Sequence, residues 1–401
     1  MVQADVSAFV ALLVVAVLAS LAVQRLPVPY VTALAAIGAV GGVVIGPRSL
    51  SLSHSLILFV FLPGLLFEAA FNLEWGNLRR NMAGVIALST VGVLLTTAVV
   101  AALGRFALGL PLAAAVIFGA AVAPTDPVAV VAVFRRLGVP ARLANLVEAE
   151  SLFNDGTGVV VFTVALGLAV DGSTGLGGAV LQFLELVAGG VALGVAIGFV
   201  FSLALRHMDD PAVEMTVTAI AAYGGYLAGE AAHVSGILTV VCAGVVIGNY
   251  GRSRAMSERT QTAVSGLWDY VAFLLNSLVF LLIGLDVPWR WLAGHAALIA
   301  GAAGAVLLAR GVSVYGLMAG LRPLRRSVNL AWQHVIVWSG LRGAVAVALA
   351  LSLPETGRMG DVRALVFGVA LVTILVQGLS VGALARRLLP HSRPRPAAPA
   401  G

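Results

Sequence analysis

Apolar runs of about 18 or more residues recur along the whole chain, each long enough to cross a hydrocarbon core of roughly 30 Å. A chain so built has few choices. Inside a bilayer every backbone polar group must be bonded internally, so only helices and closed barrels can span it. A barrel would show ten-residue segments of alternating polarity, and the sequence has none. Only 10% of its 401 residues are charged and the mean hydropathy is +1.03, against about 25% charged residues in soluble domains. The sequence predicts an all-α polytopic membrane protein.

Breaks at polar, Gly- and Pro-bearing positions divide the chain into thirteen predicted spans. They cover 6–24, 28–46, 51–71, 82–104, 109–134, 143–169, 177–205, 212–231, 233–249, 263–285, 291–320, 330–352 and 364–388. Arginine placement supports this division, since all 24 basic residues are arginine. With the N-terminus outside, the inner loops and C-terminus hold 17 of them, among them Arg25, Arg79, Arg80, Arg135, Arg206, Arg254, Arg325 and Arg393. The outer loops hold five: Arg48, Arg105, Arg290, Arg358 and Arg363. That bias puts the C-terminus in the cytosol and makes the protein multi-pass in the cell (inner) membrane. The net charge of +6 therefore reports topology, and no nucleic-acid or soluble partner is expected. The lone Cys242 excludes an intrachain disulfide, and no Cys/His metal motif is present.

Two arginines, Arg310 and Arg342, fall inside spans, where insertion of a charge costs roughly 2.5–3.5 kcal/mol. Five acids of spans three, five and six face only these two at depth: Glu68, Asp126, Glu148, Glu150 and Asp155. The acids outnumber the bases. Surplus buried carboxylates must take up protons or cations, which makes the cluster functional rather than a set of structural salt bridges.

Two stretches suggest where backbone joins them. "TDPVAVVAV" (125–133) and "LRGAVAVAL" (341–349) each place a charge, then a Pro or Gly, then a small apolar run. They lie in spans five and twelve, which face opposite ways if the chain holds two inverted repeats, a plan used by many secondary transporters. Pro124 and Pro127 flank Thr125 and Asp126 and unwind the helix, freeing carbonyls that suit a small cation. In "ESLFNDGTGVVVF" (150–162), residues four apart share a face. Ser151 and Asp155 thus form one face and read as ion ligands. Glu150 and Asn154 form the next, about 100° round; Glu150 reads as a structural acid available to Arg342 through the Asn154 amide.

These motifs, with "FLPGLLFEAAF" (61–71) and "LWDYVAFLLNSLVFLLIGL" (267–285), resemble the cation/proton antiporter family 1 in order and over nearly the whole chain. The resemblance implies thirteen transmembrane helices in two six-helix inverted repeats, with crossed, unwound helices at spans five and twelve. The transmembrane antiporter domain would cover 1–389: repeat one at about 6–169, a connecting span at 177–205 and repeat two at about 212–388. A Pro/Arg tail, 390–401, would be disordered and cytoplasmic.

The implied activity is secondary exchange of cytoplasmic Na+ or Li+ for external H+, by a homodimer in the lipid bilayer, without enzyme chemistry or cofactor. Asp155 would bind H+ and Na+ in turn, with Thr125, Ser151, Asp126 and Glu68 completing the ion site. Glu150, Asn154, Arg342 and Arg310 would form the supporting network. Asn154 stands where electrogenic relatives carry a second acid, which implies one H+ per Na+. K+/H+ exchange is the near alternative; a cation channel and an intramembrane aspartyl protease built on Asp126 and Asp155 are distant ones.

Overall fold

The computed structural model describes residues 2–23, 28–45, 53–171, 175–323 and 326–389. Among these residues the protein is built from helices, and thirteen helical segments are long enough, whole or in two halves, to be counted as spans. In chain order they cover Val2–Val23, Tyr30–Ile45, His54–Asn72, Trp75–Phe106, 112–137, Ala141–Asp171, Leu176–Leu205, 211–231, 236–255, Glu258–Leu285, Ala296–Leu321, 330–351 and Gly357–Leu388. They coincide one for one with the expected spans. Seven are continuous and apolar enough to cross a membrane on length and composition alone. The outward faces carry large apolar side chains such as Leu18, Val40, Leu181, Val200 and Leu308, all more than half exposed. Water would not tolerate that surface; lipid does. The readings for Arg25, Arg48, Arg325 and the tail at 390–401 lie outside the described residues.

Spans five and twelve are the broken ones, and their composition says why. Span five runs as Leu112–Ala121, stops, and restarts as Val128–Leu137. Pro124 and Pro127 occupy the gap and can donate no backbone bond. Span twelve runs as Leu330–Trp338 and restarts as Ala344–Leu351, with Gly340 and Gly343 in between. The two gaps cross and are joined by an antiparallel bridge in which the Asp126 amide donates to the Leu341 carbonyl (2.8 Å). Gly343 is required there, because a Cβ would run into the Asp126 carboxylate.

Unwound backbone in a membrane must be enclosed by protein. Spans six, ten, eleven and thirteen do this, and the residues around the gaps, Val122, Ala123, Thr125, Leu341, Arg342 and Ala344, are all buried. A π-turn at Thr373–Gln377 in span thirteen helps: Thr373 Oγ1 accepts from the amide of Arg342 at 3.1 Å. Such turns recur where a helix bends around a functional element.

Spans two and ten make the closest helix pair. Gly38 and Gly284 face each other, and a Cβ on Gly284 would fall 2.6 Å from the Ala39 amide nitrogen and 2.9 Å from the Gly38 carbonyl carbon. Backbone cannot move aside as a side chain can. Gly284→Val should therefore lower stability by at least the roughly 1–3 kcal/mol typical of overpacking, seen as a fall in thermal midpoint in detergent. Gly294→Val, where a Cβ meets nothing within 4 Å, should leave the midpoint close to wild type.

Candidate functional site

Each break leaves half-helix ends with unbonded amides or carbonyls, and these ends attract charge. Asp126 serves the amino-terminal ends. Its Oδ1 accepts from the Val128 amide at 2.9 Å and its Oδ2 from the Ala344 amide at 3.4 Å, so one carboxylate faces the starts of both second halves. Arg342 serves a carboxy-terminal end: its Nη1 donates to the carbonyls of Ala123 (3.2 Å) and Pro124 (3.0 Å), just beyond Ala121. Arg310, from span eleven, reaches the Ile336 carbonyl in the last turn before the second break (3.5 Å). The crossing thus carries a negative side chain where helix dipoles are positive and positive ones where they are negative.

Arg310 also makes the principal ion pair. Its Nη1 and Nη2 meet Oε1 and Oε2 of Glu150, each at 2.8 Å, with both side chains almost fully buried. Two parallel charge-assisted bonds fix the guanidinium plane. This corrects the expected pairing. Glu150 is held by Arg310, not by Arg342, which is occupied with the carbonyls of span five. Two of the carbonyls expected to be free for a cation, those of Ala123 and Pro124, accept from Arg342 instead; the Thr125 carbonyl is not one of its acceptors.

Asn154 ties this pair to the break in span five. Its Nδ2 donates to Glu150 Oε1 (2.7 Å) and to Thr125 Oγ1 (2.8 Å), and its Oδ1 accepts from the Thr125 amide (3.0 Å). Thr125 Oγ1 further bonds Ser151 Oγ at 2.9 Å. Every polar atom of the Asn154 amide group is engaged, and the carboxylate of Glu150 dictates which way the amide points.

Asp155 is different. It lies on the other face of span six, as the spacing predicted, and no described residue donates a hydrogen bond to its carboxylate. The side chain faces a partly open cavity of about 60 Å³ lined by Thr125, Asp126, Glu148, Asp155, Asn276 and Gly343, with apolar residues of spans three and twelve around them. A site of that size holds a small cation with a few waters. Glu148 stands on the same wall two turns away. Glu68 lies on span three, where Asn72 Nδ2 donates to its Oε1 at 2.8 Å; it is not among the lining residues. Ser151 is also outside the cavity wall, its hydroxyl turned to Thr125. The structure therefore brings Asp155, Asp126 and Thr125 to one cavity, Ser151 to its rim through Thr125, and leaves Glu68 further off.

Asn276 was missed. It projects from span ten into this cavity, and its Oδ1 is buried with no partner among the described residues. An unpaired buried amide oxygen is costly and is the type of ligand a hard cation takes. The signal was present as the one strongly polar side chain in "FLLNSLVF", but periodicity gives a residue's face and not what lies opposite.

Similarity to known proteins extends over nearly the whole chain. The family model for the sodium/hydrogen exchanger transmembrane region matches residues 10–387. The Na(+)/H(+) antiporter ApNhaP of Aphanothece halophytica is 40% identical over 366 residues, 90% of this chain and 70% of that protein. The low-affinity Na(+)/H(+) antiporter NhaS1 of Synechocystis is 41% identical over 340 residues, 83% of this chain and 64% of that one. The chain thus spans about two thirds of the length of these relatives. The structure of the sodium proton antiporter MjNhaP1 from Methanocaldococcus jannaschii superposes with a TM-score of 0.80 over 97% of this chain and 99% of that one, at 22% identity.

Substitutions at three positions test the network. Glu150→Gln or Arg310→Met alone strands a buried charge, at roughly 3–5 kcal/mol. The double variant should unfold at a higher temperature than either single one. Asn154→Asp removes both donors and sets a carboxylate against Glu150; a marked fall in thermal midpoint is expected, larger than for Asn154→Gln.

Proposed function

The chain belongs to the sodium/hydrogen exchanger family, and from that premise we propose that it exchanges Na+ or Li+ for H+ at Asp155. One observation carries the reading. Glu150 pairs with Arg310, Asp126 with two helix starts and Arg342 with two carbonyls, whereas the Asp155 carboxylate, with Glu148 two turns away on the same wall, faces a cavity and receives no hydrogen bond from a described residue. A bare carboxylate enclosed in protein must bind a proton or a cation.

In the proposed cycle, deprotonated Asp155 binds Na+ from the cytosol. Thr125, Asp126 and the Asn276 amide supply further oxygen, with Ser151 supporting Thr125 and Glu68 acting through water. The core moves, Na+ leaves outside, and H+ takes its place. Competition of two cations for one carboxylate enforces exchange, since the empty, charged site crosses at high cost. Asn154 cannot carry a second proton, which supports one H+ per Na+ and little net charge movement. No cofactor and no bond-making chemistry enter.

The same reading divides the chain into repeat one (about 6–169), a connecting span (177–205) and repeat two (about 212–388). It sets the protein in the inner membrane as a homodimer, N-terminus outside and C-terminus in the cytosol, in line with the arginine bias. K+/H+ exchange is the second reading, because oxygen ligands of this kind hardly separate the two ions.

In liposomes with an imposed pH gradient, addition of Na+ or Li+ should dissipate the gradient, and K+ should do little. Asp155→Asn should abolish the Na+ response, at least a hundredfold in rate, while folding normally. A response to K+ alone would favour the second reading; exchange surviving in the variant would make Asp155 structural. The Na+ concentration for half-maximal rate should rise as pH falls, because a proton already on the carboxylate must leave before Na+ binds.

A further inference from the structure

A larger cavity lies elsewhere. A space of about 780 Å³ separates spans four and six on one side from spans seven and nine on the other. This is within the roughly 300–1,000 Å³ of small-ligand sites. Its walls are almost wholly apolar, formed by residues such as Leu78, Met82, Ile86, Val191, Val195 and Leu238. Phe153 and Thr157 contribute from span six. They project from the side of that helix turned away from Asp155, so the cavity and the proposed ion site sit back to back across one helix.

One end of the cavity is built differently. Here Trp75, Asn249, Tyr250, Ser253 and Arg254 close the wall. The guanidinium of Arg254 lies 4.9 Å from the centre of the Tyr250 ring, and that of Arg206 lies 5.3 Å from it, with Arg206 Nη2 donating to the Tyr250 hydroxyl at 2.5 Å. Two arginines therefore share one tyrosine. Both are exposed, and among the described residues neither forms an ion pair with an acid. Two guanidiniums gathered at one ring, with no acid paired to either among the described residues, suit an anion, and phosphate in particular. Both belong to loops that the arginine bias puts on the cytosolic side, where Trp and Tyr also mark the level of lipid headgroups.

An apolar slot with Arg254 in the wall of one end, and Arg206 joined to that wall through the Tyr250 hydroxyl, matches one class of occupant. We infer that this cavity binds a single anionic phospholipid, its phosphate on Arg206 and Arg254 and one acyl chain along Val191, Val195 and the back of span six. Phosphatidylcholine carries the same phosphate, but its choline cation cancels that charge and is repelled by the arginines, so the selectivity comes from the net charge of the headgroup. The inference does not depend on which ion Asp155 carries.

The test is lipid retention. The purified full chain would be exchanged into nanodiscs of phosphatidylcholine containing one-tenth phosphatidylglycerol, and lipid bound after detergent extraction would be counted by native mass spectrometry. Wild type should keep about one phosphatidylglycerol per chain, enriched at least fivefold over its share of the bilayer. Arg206→Gln with Arg254→Gln should abolish the enrichment. Val195→Trp, which keeps both arginines but blocks the slot, should lower occupancy at least threefold. Sodium/proton exchange in phosphatidylcholine liposomes reports that each variant is folded. Equal retention of both lipids by wild type, or enrichment unchanged in the double variant, would overturn the inference. So would protection of the arginine pair by inorganic phosphate alone with no lipid retained, which means a free-anion site, or a slot covered by a second copy of the chain in the lipid-free dimer.

Discussion

A charge inside a hydrocarbon slab must be neutralised where it stands or be made to carry something across. The architecture at the crossing of spans five and twelve follows from that constraint. The backbone is opened by Pro124, Pro127, Gly340 and Gly343, and each opening creates partial charges that must be met. Asp126, Arg342 and Arg310 meet them. The remaining charge of Arg310 is absorbed by Glu150. What is left over lines the cavity: Glu148, and the carboxylate of Asp155, just over one turn beyond Glu150 and on the helix's other face.

Asn154 separates these two regimes. It is locked between Glu150 and Thr125 by three hydrogen bonds, so the structural side of span six is rigid. Its neighbour Asp155 faces open space. The same helix therefore supplies both the anchor and the carrier, and it can do so because successive residues point about 100° apart. Gly156 and Gly158 extend this economy of space by letting Leu238 and Pro124 approach the helix closely.

Much of this could be read in the sequence. The thirteen spans are legible because a bilayer imposes a length and a polarity on every crossing segment. The two breaks are legible because proline and glycine act locally. The two faces of span six follow from helical periodicity alone. What periodicity cannot give is the neighbour across a gap. Glu150 finds Arg310 at a sequence separation of 160, and Arg342 is equally charged and equally buried. The choice between them is made by the crossing itself, which turns Arg342 toward the carbonyls of span five. The cavity, and the place of Asn276 in its wall, were hidden for the same reason, since both arise only once span ten is packed against spans six and twelve.

The central claim is that one carboxylate serves two cations by turns. Calorimetry of Na+ binding to the purified protein, in buffers of differing ionisation enthalpy, counts the protons released for each Na+ bound. The account predicts a value approaching one at low pH and falling toward zero as pH rises, with Na+ binding lost altogether in Asp155→Asn. Sodium binding that releases no proton at any pH, or that persists in the variant, would contradict it.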